Sequence, residues 1–196
     1  MFTNDSTVIL VALKDELPEE MLPDWRVIYT GVGKINATFH TYETINRFKP
    51  RTIVNFGTAG SLKQGLTGLH EVSVFKQRDM DARGLGFPLG ETPFDSINTI
   101  NNFRDGLSCG SGDNFVDQQI EMETDLVDME AYAIAKVCKL ASVEFYCFKY
   151  ISDTANENAG DDWSANVKKG AEMFSRWLIT PEYFRRYPQD PESMNP

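Results

Sequence analysis

Positive charge is scarce in this chain. In 196 residues, 19 lysines and arginines face 29 aspartates and glutamates, for a formal net charge of −10. No Lys/Arg-rich run interrupts that balance, which argues against gripping nucleic-acid phosphates and leaves room for a small nucleoside ligand. Histidine is scarcer still, with only His40 and His70. That leaves no Cys/His cluster with metal-ligand spacing and speaks against a histidine-based catalytic triad; no metal and no cofactor is implied. The three cysteines, Cys109, Cys138 and Cys147, are an odd number without paired spacing, so reduced thiols and a cytoplasmic location are expected. Long apolar runs are missing too. "STVILVAL" (Ser6–Leu13) is too short to span a membrane and lacks the basic flank and cleavage site of a signal peptide.

What is there is an ordinary globular balance, 41% hydrophobic and 24% charged. The length suits one domain, expected over residues 1–178, with a proline-rich tail over 179–196. Thr7–Leu13 is a continuous apolar run, the mark of a strand buried on both faces. "WRVIYTGV" (Trp25–Val32) reads as a second strand, and "GVGKINATFHTYETINRF" as turn and helix. "RTIVNFGTAGS" (Arg51–Ser61) reads as a buried strand ending in a glycine-rich turn, and "EVSVFKQRDMD" (Glu71–Asp81) as an alternating strand. Ala82–Ser96, rich in glycine and proline, reads as loop. Leu107–Val116 ends a strand in a second glycine turn, and Val143–Asp153 is another aromatic and apolar strand. Asp161–Leu178 is a closing helix with Asp161 or Asp162 near its N-cap. This interleaving predicts an α/β fold, a three-layer-like sandwich with a mixed twisted central sheet flanked by helices.

Ligands of such sheets sit beyond strand ends, in segments of small residues. Glu16 follows the first strand, Gly57–Ser61 ends the third, and Ser152–Asp153 ends a late one. "DLVDMEAYAIAKVCKLA" (Asp125–Ala141) reads mostly as an amphipathic helix. On a 100° wheel Glu130 joins Ile134, Val137, Cys138 and Ala141, while Asp128, Tyr132, Lys136 and Lys139 fall opposite. A carboxylate on an apolar stripe needs partners. "TGVGK" fits neither phosphate-binding fingerprint: Ile35 stands where a P-loop needs Ser or Thr, and Asn36 where a dinucleotide turn needs its third glycine. It reads as a strand-to-helix turn.

Seven pieces, in order, resemble one family. They are "ALKDE" (Ala12–Glu16), "TGVGKINA" (Thr30–Ala37), "VNFGTAGSL" (Val54–Leu62), "RDMDARGLGFPLGETP" (Arg78–Pro93), "GSGDNFV" (Gly110–Val116), "VDMEAYAIAKVC" (Val127–Cys138) and "YISDTA" (Tyr150–Ala155). The chain resembles the 5'-methylthioadenosine/S-adenosylhomocysteine nucleosidases of the nucleoside phosphorylase superfamily. The resemblance implies hydrolysis of a purine nucleoside's N-glycosidic bond. It makes Asp153, beside Ser152, the acid that protonates purine N7, and Glu16 the residue that positions the attacking water. Lys149 then stands near that water where the family often has arginine. Glu130 would accept hydrogen bonds from ribose hydroxyls and Met129 would lie against the sugar, beside Thr58, Ala59 and Gly60. Phe115 would stack on the base, and the backbone of Val116 would read its edge.

The resemblance also implies a homodimer, in which a neighbour covers the substrate's 5' group with residues matching Val32, Ala82, Leu85 and Pro93. Arg83 in that cover could meet an anionic 5' group. Between Pro93 and Leu107 there is no room for the helix the family usually carries. Asn55 replaces an arginine of the phosphate-using relatives, and "KDELPEE" is acidic, so water is favoured over phosphate. Three alternatives stay open: a phosphate-dependent nucleoside phosphorylase, a nucleosidase acting on a 5'-nucleotide or modified nucleoside, and a nucleoside-binding protein without turnover.

Overall fold

Strands buried on both faces account for the uninterrupted apolar runs. β1 (Thr7–Val11) is buried at every residue and lies between β2 (Arg26–Tyr29) and β3 (Thr52–Ser61), parallel to both. Those strands come from a computed structural model that describes residues 2–116, 120–155 and 159–180. Further along come β4 (Gly68–Gln77), β5 (Thr99–Asn101), β6 (Leu107–Ser111), β7 (Leu126–Asp128) and β8 (Glu144–Asp153). Together the strands make one mixed eight-stranded sheet. Part of that sheet closes on itself. β3 pairs with β8, β8 with β4, β4 with β6, β6 with β7, and β7 returns to β3. The closure gathers the ends of β3, β6, β7 and β8 around one place.

Helices cover both faces. α1 (Lys34–Phe48) and α2 (Ala131–Leu140) lie on one side, where Ala131, Ile134 and Cys138 join a core with Ile53, Phe75 and Cys147. α3 (Ala159–Ile179) covers the other, with Phe174 stacked on Phe56 at 4.3 Å and Trp177 against Phe148. Gly33, at φ +93°, makes the turn into α1, and Lys49 ends that helix in a left-handed conformation before Pro50. The architecture is the mixed sheet between helices that the sequence predicts.

Several boundaries differ for physical reasons. The wheel drawn from Asp125 mixes two elements. Leu126–Asp128 is strand β7, and the helix starts only at Ala131. Part of the opposite helix face is also covered, although Lys139 is exposed. Tyr132 is buried, its hydroxyl donating to the carbonyl of Ile97 at 2.9 Å, and Lys136 pairs with Asp95 at 2.5 Å. "FGTAGS" is not a turn. β3 runs on to Ser61 with a bulge between Ala59 and Gly60. β5 occupies part of the stretch between Pro93 and Leu107. α3 begins at Ala159, so Asp161 and Asp162 fall inside its first turn rather than before it. The tail expected over 179–196 lies outside the described residues beyond Thr180.

Candidate active site

A cavity of about 250 Å³ opens beyond the ends of β1, β3 and β8. Its volume lies just below the roughly 300–1,000 Å³ usual for small-molecule pockets. Glu16, Glu130 and Asp153 all line it, although 137 positions separate the first from the last. Met129, Phe115, Val116, Thr58, Ala59, Gly60 and Ser152 share the same wall.

Each acid is held differently. Glu16 accepts the backbone N–H of Thr58 at 2.8 Å and the Thr58 hydroxyl at 2.7 Å through Oε1, and the N–H of Leu13 through Oε2. Both oxygens are thus fixed by neighbouring strand ends. Asp153 accepts the Ser152 hydroxyl at 2.7 Å on Oδ2 and the N–H of Ala155 at 2.9 Å on Oδ1. The glycines of "FGTAGS" serve this arrangement by giving space. A Cβ on Gly60 would lie 2.7 Å from Asp153 Oδ1, and one on Gly57 would lie 3.2 Å from Lys149 Nζ and 3.4 Å from Glu16 Oε1. Small residues are required there for the approach of side chains, not for a turn.

Glu130 is the N-cap residue of α2, yet its side chain does not cap its own helix. Oε1 accepts the N–H of Gly33, at the start of α1, at 2.8 Å. Burial raises the Glu130 carboxyl to about 7, and the nearby Asp128 carboxylate adds to the shift; Lys149 and the Gly33 N–H oppose it.

Beneath Glu130 lies an ion pair. Lys149 Nζ is 2.8 Å from Asp128 Oδ2, and both side chains are 1% exposed. Asp128 also accepts the Ser111 hydroxyl and the N–H of Ala131, capping α2 in place of Glu130. Burial alone would raise the Asp128 carboxyl, but Lys149 and these donors hold it below its ordinary value. Burial alone would likewise strip the Lys149 proton; its charged neighbours, Asp128 foremost, keep the ammonium charged. Lys149 therefore belongs behind the cavity wall, bound to Asp128.

Asp128 and Arg78 also line the cavity, and neither is among the site residues that the sequence suggests. An aspartate just ahead of a helix start is a capping signal that could have marked Asp128. Nothing local marks Arg78. The residues matched to the 5' cover fall in two places. Val32 lines this chain's cavity. Ala82, Arg83, Leu85 and Pro93 are absent from that wall, and Leu85 is 74% exposed. Arg83 forks onto Asp81 and reaches Glu121 at the surface. Asn55 is buried, donating to the carbonyls of Leu10 and Phe56, so it is spent on the core.

A family model described as the phosphorylase superfamily matches residues 25–178. A 5'-methylthioadenosine/S-adenosylhomocysteine nucleosidase of Staphylococcus saprophyticus is 34% identical over 179 residues, covering 76% of this chain and 78% of that protein. Its namesake in Staphylococcus aureus is 33% identical over 181 residues, covering 77% and 78%. Among solved structures, the Helicobacter pylori 5'-methylthioadenosine/S-adenosylhomocysteine nucleosidase superposes with a TM-score of 0.79 at 23% identity, over 90% of this chain and 97% of that one. A futalosine hydrolase mutant from the same organism gives 0.79 at 23%, over 88% and 96%. At that identity the structures speak for the fold alone, and two named activities share it. The superfamily match and the Staphylococcus relatives carry the assignment further: the chain belongs to the phosphorylase superfamily, and within it to the 5'-methylthioadenosine/S-adenosylhomocysteine nucleosidases.

Proposed function

We propose that the chain hydrolyses the N-glycosidic bond of 5'-methylthioadenosine and S-adenosylhomocysteine, releasing adenine. The observation that carries this is the meeting of Glu16, Glu130 and Asp153 on one cavity wall with Phe115 and Met129. Asp153 protonates purine N7, so the base leaves neutral rather than as an anion. Glu16, its Oε1 committed to Thr58, positions the water that attacks the anomeric carbon. Glu130 keeps Oε1 on Gly33 and offers Oε2 to the ribose hydroxyls. The bond breaks toward an oxocarbenium-like sugar, which the surrounding carboxylates stabilise. Phe115 stacks on the base beside Val116.

Water is favoured over phosphate by the charge of the wall. Of the described residues lining the cavity, Glu16, Asp128, Glu130 and Asp153 are acidic and Arg78 alone is basic. That arginine already serves acceptors in residues 112–114. The same balance disfavours a 5'-phosphate, and Arg83 lies away from the cavity, paired with Asp81 and Glu121. The test is base release from methylthioadenosine, adenosylhomocysteine, adenosine, inosine and AMP, with and without phosphate. Release of adenine from the two thioethers without phosphate is expected. A phosphate requirement would overturn the hydrolase reading.

We further propose a cytoplasmic homodimer. Ile35, Phe39 and Tyr42 are 81%, 61% and 63% exposed and lie on one stripe of α1, near the helix start that edges the cavity. Leu85 and Phe94 expose another 74% and 95%. Patches of this kind mark interfaces, and a second copy covering them would bring Ala82, Leu85 and Pro93 toward a partner's cavity. Phe39→Glu should convert the sedimenting species from dimer to monomer; a monomeric parent protein would refute the dimer. The cytoplasmic setting rests on Cys109, Cys138 and Cys147, which are buried free thiols. Among the described residues no helix is long and apolar enough to cross a membrane.

A further inference from the structure

Arg78 follows the last residue of β4 and is 8% exposed. Its backbone N–H continues the β4–β6 pairing by donating to the carbonyl of Ser111 at 2.9 Å. From there the side chain turns under the segment that leads to Phe115. Nη1 donates to Asn114 Oδ1 at 2.8 Å, and Nη2 donates to the carbonyls of Gly112, at 3.3 Å, and Asn114. Gly112 is shaped by this contact. A Cβ there would lie 2.7 Å from Arg78 Cζ and 2.8 Å from Nη1. Asp79 holds the same segment from the next position, accepting the N–H of Asp113 at 2.8 Å while pairing with Lys34. Asp113 in turn accepts the N–H of Lys34 at 2.7 Å.

One feature separates this from ordinary packing. Among the described residues, the buried Arg78 Nε has no hydrogen-bond partner. An unpaired buried donor is unfavourable, and an apolar side chain of similar length would not carry it. Nε is also shut off from solvent, so it is not aimed into the cavity. The guanidinium is kept for the three acceptors on residues 112–114.

We propose that Arg78 is a positioning residue for base binding: its guanidinium fixes residues 112–114 so that Phe115 and Val116 are set before the nucleoside arrives. The inference rests on the reading of Phe115 as the residue that stacks on the base. Phe115 itself is 53% exposed, so its placement depends on the segment that leads to it. Preorganising such a ring raises affinity by removing the need to order it on binding.

The test compares the parent chain with Phe115→Ala, Arg78→Met, Arg78→Lys and Gly112→Ala, by calorimetric titration with free adenine and by steady-state kinetics on methylthioadenosine. Phe115→Ala should weaken adenine binding about tenfold, as loss of one base–aromatic stack does. Arg78→Met should weaken it by a similar factor and raise KM with little change in kcat. Arg78→Lys should restore only part of the loss, because an ammonium lacks the planar fork. Adding Arg78→Met to Phe115→Ala should cause no further loss. Gly112→Ala should reproduce the Arg78→Met effect alone and add nothing to it in combination, which keeps the test open if Arg78→Met fails to fold. Normal adenine affinity in both Arg78→Met and Gly112→Ala, with Phe115→Ala impaired, would overturn the positioning role. Normal affinity in Phe115→Ala would instead overturn the stacking role, and the inference with it.

Discussion

Asp128 and Glu130 stand two residues apart, and both are buried. Asp128 has a full set of partners: the Lys149 ammonium, the Ser111 hydroxyl and the N–H of Ala131. Among the described residues Glu130 has one donor, the N–H of Gly33. The first carboxyl is held below its ordinary value, and the second is raised to about 7. Equal burial thus gives opposite outcomes, and the number of partners decides which. A satisfied buried carboxylate is part of the framework. One left short of donors is stable only as an acid, or with a ligand that supplies the missing hydrogen bonds.

The largest effect should come from breaking the satisfied side. Asp128→Asn removes the ion-pair partner of the buried Lys149 ammonium, which costs about 3–5 kcal/mol. Urea denaturation should show that loss, and a loss below 1 kcal/mol would mean the pair is not what holds Lys149 (a bound set by the ~1 kcal/mol of a surface pair). Next in size is the pH response of Glu130. Its carboxyl titrates near 4.5 unfolded and at about 7 folded, so between those values the folded chain binds more protons. The stability it contributes is complete below 4.5 and is lost as pH rises to about 7. That amounts to at most about 3 kcal/mol. Glu130→Gln should therefore gain on the parent chain over that range when the two are unfolded side by side. Parallel curves would deny the shift.

Smaller again is the effect of Glu130→Gln on turnover. A charged acceptor facing ribose hydroxyls contributes about 1.5–3 kcal/mol, so kcat/KM should fall roughly 10- to 100-fold. This variant would be the reverse of Asp128→Asn, with activity lost and stability kept. Arg83→Ala should change least. Its ion pairs with Asp81 and Glu121 are exposed, and it does not line the cavity. Unaltered melting and unaltered turnover of methylthioadenosine are expected.

The contrast between the two carboxylates also shows where sequence reading stops. Local pattern located Glu16, Glu130 and Asp153, because each ends an element whose apolar run or helix start is visible in the chain. It sets Asp128 opposite the apolar stripe, because a three-residue strand running straight into a helix looks like one longer helix. The partner of Asp128 lies 21 residues away in Lys149, across a closure of the sheet that no local period encodes. Arg78 was hidden for the same reason, since its contacts exist only after β4 and β6 pair. The glycines of β3 read in the sequence as a turn. In the fold they instead make space for Lys149, Glu16 and Asp153 within a continuous strand.

The most direct test of the contrast counts protons. In an Asp153→Asn background, where methylthioadenosine should bind without being cleaved, calorimetric titration at pH 6 in buffers of different ionisation enthalpy reports protons exchanged on binding. Glu130 titrates at about 7, so it is mostly protonated at pH 6 in the empty site and must ionise to accept the ribose hydroxyls. The expected result is release of close to one proton per nucleoside, fading at higher pH and absent when Glu130→Gln is added. Binding without proton release, or the same release with Glu130→Gln, would contradict the assignment of Glu130 as the carboxyl that waits for the ligand.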